Sequence, residues 1–143
     1  QALSVQPVVV DTNIVVAGLI TGREASPVAR ILDAMLDGAV PYVVSEALLA
    51  EYHAVLVRPR LRRLHGLSVA DVERLLTVIA RHAIVLAPES GLPAPDPADQ
   101  FLWDLLAARP DLLLVTGDKS LIRAAGQAGH VISAADFVAA MAR

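Results

Sequence analysis

The sequence predicts an α/β domain with a parallel sheet covered by helices on both faces. Short runs of consecutive apolar residues, such as Val8-Val9-Val10 and residues 112–115, are too uniformly apolar to be half-exposed strands. Segments with helical apolar spacing alternate with them, the pattern of a three-layer α/β/α architecture. Polar breaks carrying an acid follow the first and fourth runs, at the carboxyl edge where sites form in open α/β sheets.

Taken in order, residues 7–11 form the first strand, ending on Asp11. Ser26-Pro27 opens a helix as N-cap and first helical residue, and Val28, Ile31, Leu32 and Met35 repeat at helical spacing up to Gly38. Residues 40–44 are a second strand, and Ser45 caps a helix to about Val57. Pro59 and a run of arginines follow; Ser68, with Asp71 three residues on, then starts a helix whose stripe is Val72, Leu75, Leu76 and Ile79. Residues 84–86 are a third strand. The proline-rich stretch 88–97 is a loop, residues 99–108 are helical, and residues 112–115 are a fourth strand. Gly117-Asp118 turns into another helix, Val131-Ile132 is a fifth strand, and Ser133 caps a last helix with Phe137 and Met141 inward.

The chain of 143 residues has the length of one domain, spanning 1–143. Its hydrophobic fraction is 55% and its mean hydropathy +0.56, yet no apolar run is long enough to span a bilayer. The excess is assigned to a large core plus a subunit or partner interface, and a homodimer is expected. Cysteine is absent, which excludes disulfides and thiolate metal sites, and without a signal-peptide pattern the expected location is the cytoplasm. With a net charge of −3, any polyanion must meet a local patch. Arg58, Arg60, Arg62 and Arg63, followed by His65, are such a patch or else a solvated helix face or a partner contact. The four histidines lack metal-ligand spacing and are placed at the surface or at helix ends. No glycine-rich phosphate loop is present, which removes dinucleotide cofactors.

Four carboxylates stand in apolar company: Asp11, Glu51, Asp99 and Asp118. A carboxylate among aliphatic residues is costly unless paired, hydrogen-bonded or bound to a cation, and a divalent-metal site accounts for all four. Asp11 and Asp118 sit where buried strands end, although each could simply cap the next helix. Glu51 falls inside the stripe of Leu48, Tyr52, Val55 and Leu56, where a surface glutamate does not belong; Glu46 falls on the water-facing flank. Asp99 shares a helix face with Leu102, Trp103 and Leu106, while Asp104 points away beside Gln100. Asp96 is an N-cap or a helper from one turn earlier. The four acids converge only if strands one and four are neighbours.

Val-Val-Val-Asp11-Thr12-Asn13, the helix Ser45-Glu46-Ala47-Leu48-Leu49-Ala50-Glu51-Tyr52, Asp96-Pro97-Ala98-Asp99-Gln100-Phe101-Leu102 and Leu-Val-Thr116-Gly117-Asp118-Lys119-Ser120-Leu121 together resemble the PIN domain, in particular the branch that supplies toxins of bacterial toxin–antitoxin pairs. The acids follow one another at intervals of 40, 48 and 19 residues. The resemblance covers nearly the whole chain; Arg109-Pro110, before the fourth strand, departs from it. It implies a Rossmann-like fold with one five-stranded parallel sheet and an Mg²⁺- or Mn²⁺-dependent ribonuclease. By motif match Asp11, Glu51, Asp99 and Asp118 are the acidic quartet, Asn13 and Thr116 polar supports, Ser45 a further support, and Asp96 an additional ligand or orienting group. A cognate antitoxin is the implied partner.

Hard oxygen donors without His or Cys suit Mg²⁺ or Mn²⁺. Lys119 and the Arg58, Arg60, Arg62 and Arg63 cluster are candidates to hold the RNA backbone. Two other readings stay open: a phosphatase or phosphotransferase with Asp11 as nucleophile, which would leave Glu51 without a role, and a non-catalytic interaction module on the same fold.

Overall fold

The computed structural model describes residues 6–125 and 131–141. Strand β1 (Val8–Val10) lies parallel to β4 (Leu113–Thr116), which lies parallel to β5 (Val131–Ser133), giving a three-stranded sheet in the order β1-β4-β5. Two further strands, β2 (Val43–Val44) and β3 (Ile84–Val85), pair in parallel as a separate two-stranded sheet. The expected single five-stranded sheet is therefore corrected to two parallel sheets. A lone bridge between Val8 and Tyr42 joins them, with the Val8 N–H donating to the Pro41 carbonyl at 3.2 Å. Strands of two residues offer little ladder, and Pro41 has no N–H with which to extend the pairing.

Helices occupy most of the remaining chain: α1 (Thr12–Ile20), α2 (Pro27–Leu36), α3 (Glu46–Leu56), α4 (Pro59–His65), α5 (Val69–His82), α6 (Gln100–Leu106, preceded by a 3₁₀ turn Pro97–Asp99), α7 (Lys119–Ala125) and α8 (Ala134–Met141). Their starts follow local chemistry. The hydroxyls of Ser26, Ser45 and Ser133 accept N–H groups of the first turns they cap, and Ser68 and Asp71 form a reciprocal capping box. Helix α4 ends on Gly66 in the left-handed conformation, φ 75°, which suits a residue without Cβ.

Helix α1 has no counterpart among the sequence-derived spans. Its residues, TNIVVAGLI, carry no charge and no polar face, so no helical period marks them. Ile14 and Val15 enter the core, and helices α2 and α3 pack against α1. The approach to α2 depends on Gly18, where an added Cβ would lie 2.8 Å from the Val28 carbonyl oxygen and 3.0 Å from Leu32 Cβ. Gly18→Ala is expected to lower stability by ~1–3 kcal/mol despite alanine's better helix propensity, because the backbone oxygen cannot give way cheaply. Urea denaturation at constant m-value measures it; an equal or higher midpoint would show that the helices can part at no cost.

Val8, Val9, Leu114 and Val115 are fully buried and form the core with Ile31, Met35, Tyr42, Leu48, Tyr52 and Leu102. Strand β3 is different. Val85 is 57% exposed, so the residues expected as the third strand form a half-open edge. No helix among the described residues is long and apolar enough to cross a membrane.

Candidate active site

Strands one and four are neighbours, in a register that pairs Val10 with Val115, and the Asp11 N–H donates to the Val115 carbonyl at 2.9 Å. Both strands leave the sheet at the same level, so Asp11 and the Thr116-Gly117-Asp118 turn meet at its carboxyl edge. Asp11, 9% exposed, caps α1: one carboxylate oxygen accepts the Thr12 N–H at 2.8 Å. Its other oxygen accepts the Thr116 hydroxyl at 2.8 Å and the Asn13 amide at 3.4 Å. The Thr116 hydroxyl, fully buried, accepts in turn the Asp118 N–H at 3.1 Å, and the Asn13 side-chain oxygen Oδ1 accepts the Gly117 N–H at 3.1 Å. These bonds tie the two strand ends together. The Asp118 carboxylate also accepts the Ser120 N–H at 2.9 Å, so both strand-end acids cap helices while facing the site.

From below, the level of β1 is held by Tyr52. Its ring is fully buried in α3 and its hydroxyl donates to the Val10 carbonyl, one residue before Asp11. Burial pushes the phenol far above its ordinary pKa, which keeps the proton it donates. Tyr52→Phe is expected to cost about 1–3 kcal/mol by leaving that carbonyl unpaired in the core. Thermal unfolding checks it; an unchanged melting temperature would show that the bond contributes nothing.

Asp11, Glu51, Asp99 and Asp118 all line one cleft of about 770 Å³. Glu51 reaches it from α3, half-buried, one position before Tyr52 in the apolar stripe. Asp99 reaches it from the 3₁₀ turn that opens α6. Burial raises the Asp11 carboxyl above its ordinary pKa against the opposing bonds from Thr116 and Thr12, and the charges of Asp118 and Glu51 raise it further. Asp99 is raised too, first by burial and then by Asp11, Asp96, Asp118 and Glu51. Among the described residues no Lys, Arg or His lines the cleft or forms an ion pair with these four.

An all-oxygen donor set whose negative charge has no basic partner fits a hard divalent cation. The fit is one of donor chemistry and charge: among the described residues no three such side chains stand close enough to enclose an ion as they are placed. At the site the buried Thr12 hydroxyl beside Asp11 has no hydrogen-bond partner among the described residues.

The other residues singled out in the sequence take varied places. Asp96 is exposed and its carboxylate caps the 3₁₀ turn through the Ala98 N–H, outside the cleft lining. Ser45 is buried and caps α3, also away from the lining. Glu46 is exposed, and Asp104 points away to hold the proline-rich loop through the Gly91 N–H and the Gln100 amide, both at 2.9 Å. Lys119 is exposed at the start of α7, next to Asp118. Arg58, Arg60 and Arg63 are exposed at and along α4, with Arg62 half-buried among them, and α4 packs against α1 and α3, two helices that line the cleft. His53 faces Glu73 at 3.5 Å, His65 closes α4 against the Leu56 carbonyl, His82 ends α5, and His130 lies outside the described residues.

Sequence reasoning left out Thr12, although its place directly after a strand-end acid was a signal for it. It also left out the apolar lining contributed by α1, for which a helix without polar residues gives no pattern to read.

Among curated proteins no match to this chain is found. A family model described as the PIN domain matches residues 7–120, from the start of β1 through the turn that carries Asp118. With most of its length under that match, including all four acids of the cleft, the chain belongs to the PIN domain family.

Proposed function

We propose that this PIN domain is an Mg²⁺- or Mn²⁺-dependent ribonuclease hydrolysing RNA phosphodiester bonds, and that it acts in the cytoplasm as a homodimeric toxin restrained by a cognate antitoxin. The observation that carries the nuclease reading is the sharing of one cleft by Asp11, Glu51, Asp99 and Asp118 with no basic side chain lining it among the described residues. PIN domains are typically nucleases, and the toxin, antitoxin and dimer assignments extend that membership through the motif resemblance.

Asp11, Glu51 and Asp99 would hold the cation, and Asp118 would hold a second one or orient the attacking water. When bound, the cation would supply charge neutralisation and Lewis acidity at the phosphate. Asp11 is kept rigid for that task by Thr12 and Thr116, while Asn13 bridges to Gly117 and fixes the spacing of the strand ends. The α4 arginines, on a helix that packs against two walls of the cleft, would hold phosphates along the RNA and make activity salt-sensitive.

Purified protein assayed on single-stranded and structured RNA in Mg²⁺, Mn²⁺ or EDTA tests the proposal. Cleavage is expected with metal and not with EDTA. Glu51→Gln is expected to reduce it about 10²-fold or more, since weakening the hold on the cation forfeits part of the several kcal/mol that Lewis acidity contributes. Cleavage indifferent to EDTA and to Glu51→Gln would sink the assignment. Phosphatase activity surviving Glu51→Gln but lost without the Asp11 carboxylate would replace it with the nucleophilic-aspartate chemistry.

A further inference from the structure

Beyond its acids, the cleft has a second wall. Asn13, Val16, Ala17 and Ile20 fall at successive i, i+3, i+4 and i+7 positions of α1 and all line it. The stripe runs about 10 Å along the helix, from Asn13 beside the acids to Ile20. Val28 of α2 and Phe101, two residues after Asp99, line the same space, and Val16, Ala17, Ile20, Val28 and Phe101 are all only half-buried. A helix apolar all round normally has every face covered, whereas α1 leaves this one open.

We propose that this apolar wall is a nucleobase slot, which receives one unpaired base of the RNA next to the bond being cut, with Phe101 as its stacking face. The inference rests on the nuclease reading above and adds a determinant of substrate choice to it. Phosphate would be met at the acidic end through a cation, and the side chains of Val16, Ala17, Ile20, Val28 and Phe101 offer a phosphate or a ribose hydroxyl no hydrogen bond, Thr21 being the polar residue at the far end of the stripe. The component of a nucleotide that matches an apolar, partly aromatic surface adjoining that end is the face of its base. Protein recognition of single-stranded RNA commonly splays bases out and stacks them on aromatic side chains. A base held in a duplex could not enter, so the slot selects unpaired RNA. Phe101 is one of two phenylalanines in the chain, the other, Phe137, being buried in the core, so it is the phenylalanine placed for this task.

The test compares two probes, adenosine 5′-monophosphate and ribose 5-phosphate, in which a hydroxyl replaces the base, titrated into the full chain in Mg²⁺ and followed by methyl NMR. The nucleotide is expected to bind ~10-fold or more tightly than the sugar phosphate and to shift the methyls of Val16, Ile20 and Val28. Phe101→Ala is expected to erase the difference between the probes, and Phe101→Trp to keep it. Should Phe101→Ala fail to fold, the parent's probe difference and the methyl map still decide the matter. Equal affinity for the two probes, no detectable binding, or shifts confined to other methyls would overturn the slot. So would concentration-dependent shifts of these methyls without nucleotide, which would assign the wall to a second copy of the chain. Metal-dependent cleavage that requires Asp11 would survive any of those results, and a slot that binds the base without any cleavage would leave the slot standing and remove the nuclease reading.

Discussion

Asp11→Asn is expected to abolish RNA cleavage, by about 10²- to 10⁴-fold, while raising the melting temperature of the metal-free protein. The two effects have one cause. Asp11 is a carboxylate that burial raises above its ordinary pKa, with Asp118 and Glu51 adding like charge. Ionised, it is costly to bury unless a cation is present. Asparagine keeps its shape and caps helices as well as aspartate does, so the Thr12 N–H stays satisfied and α1 stays in place. What disappears is the charge, with the acceptor that the Thr116 hydroxyl and the Asn13 amide share, and with the charge go both the repulsion and the affinity for a cation. Asp11→Ala would separate these roles, because it removes the cap as well and forfeits ~1 kcal/mol of helix stability. Single-turnover cleavage and circular-dichroism melts in EDTA measure the pair of effects. Substantial remaining activity would remove Asp11 from the catalytic set, and a lower melting temperature for the asparagine variant would show that its carboxylate stabilises the fold.

How far this site was legible in advance depends on whether each feature is written locally. Ser26-Pro27, Ser45, Ser133 and the Ser68/Asp71 box place helix starts within a few residues, and all are present as hydrogen bonds. Glu51 was legible from helix geometry alone, since a 3.6-residue period fixes which positions share a face. Helix α1 was illegible for the opposite reason: with apolar residues on every side there is no period to detect, and the cleft wall it supplies went unseen with it. The division into two sheets could not be read either. Whether β1 and β2 share a ladder or a single bridge depends on the packing of segments more than thirty residues apart, and nothing in residues 40–44 encodes it. Asp96 shows the limit of motif reasoning. Its spacing invites a role in the site, but its carboxylate is spent on the Ala98 N–H, a contact decided by the backbone turn after Pro95.

Adding Mg²⁺ or Mn²⁺ is expected to reverse a pH-dependent weakness of the metal-free fold. Burial holds the Asp11 and Asp99 carboxyls above the ordinary aspartate value of 3.8 in the folded chain. A group whose folded pKa is raised gives the native state stability that is present below the unfolded pKa and lost as pH rises through the folded one. In EDTA these two carboxyls should therefore weaken the protein as pH climbs from below 3.8 through their raised values. Asp71, Asp104 and Asp111 are shifted the other way by hydrogen bonds from Arg74, Gln100 and Arg109, so the whole-protein profile mixes both signs. The difference in stability between the parent and Asp11→Asn isolates the Asp11 contribution. Saturating metal should cancel that difference near neutral pH, where the carboxylates are ionised and protons no longer compete for them. At a hundred times the dissociation constant, binding to the native state contributes about 2.7 kcal/mol, which for a chain of this size corresponds to roughly 5–10 °C in melting temperature. Asp11→Asn should show little of that shift, and variants at Asp96 should show it in full, because the Asp96 carboxylate lies outside the cleft lining. An equal melting temperature with and without metal at neutral pH would mean that the four acids share a cleft without sharing an ion. A parent whose metal-free stability relative to Asp11→Asn rises through the same pH window would mean that something other than metal already neutralises them.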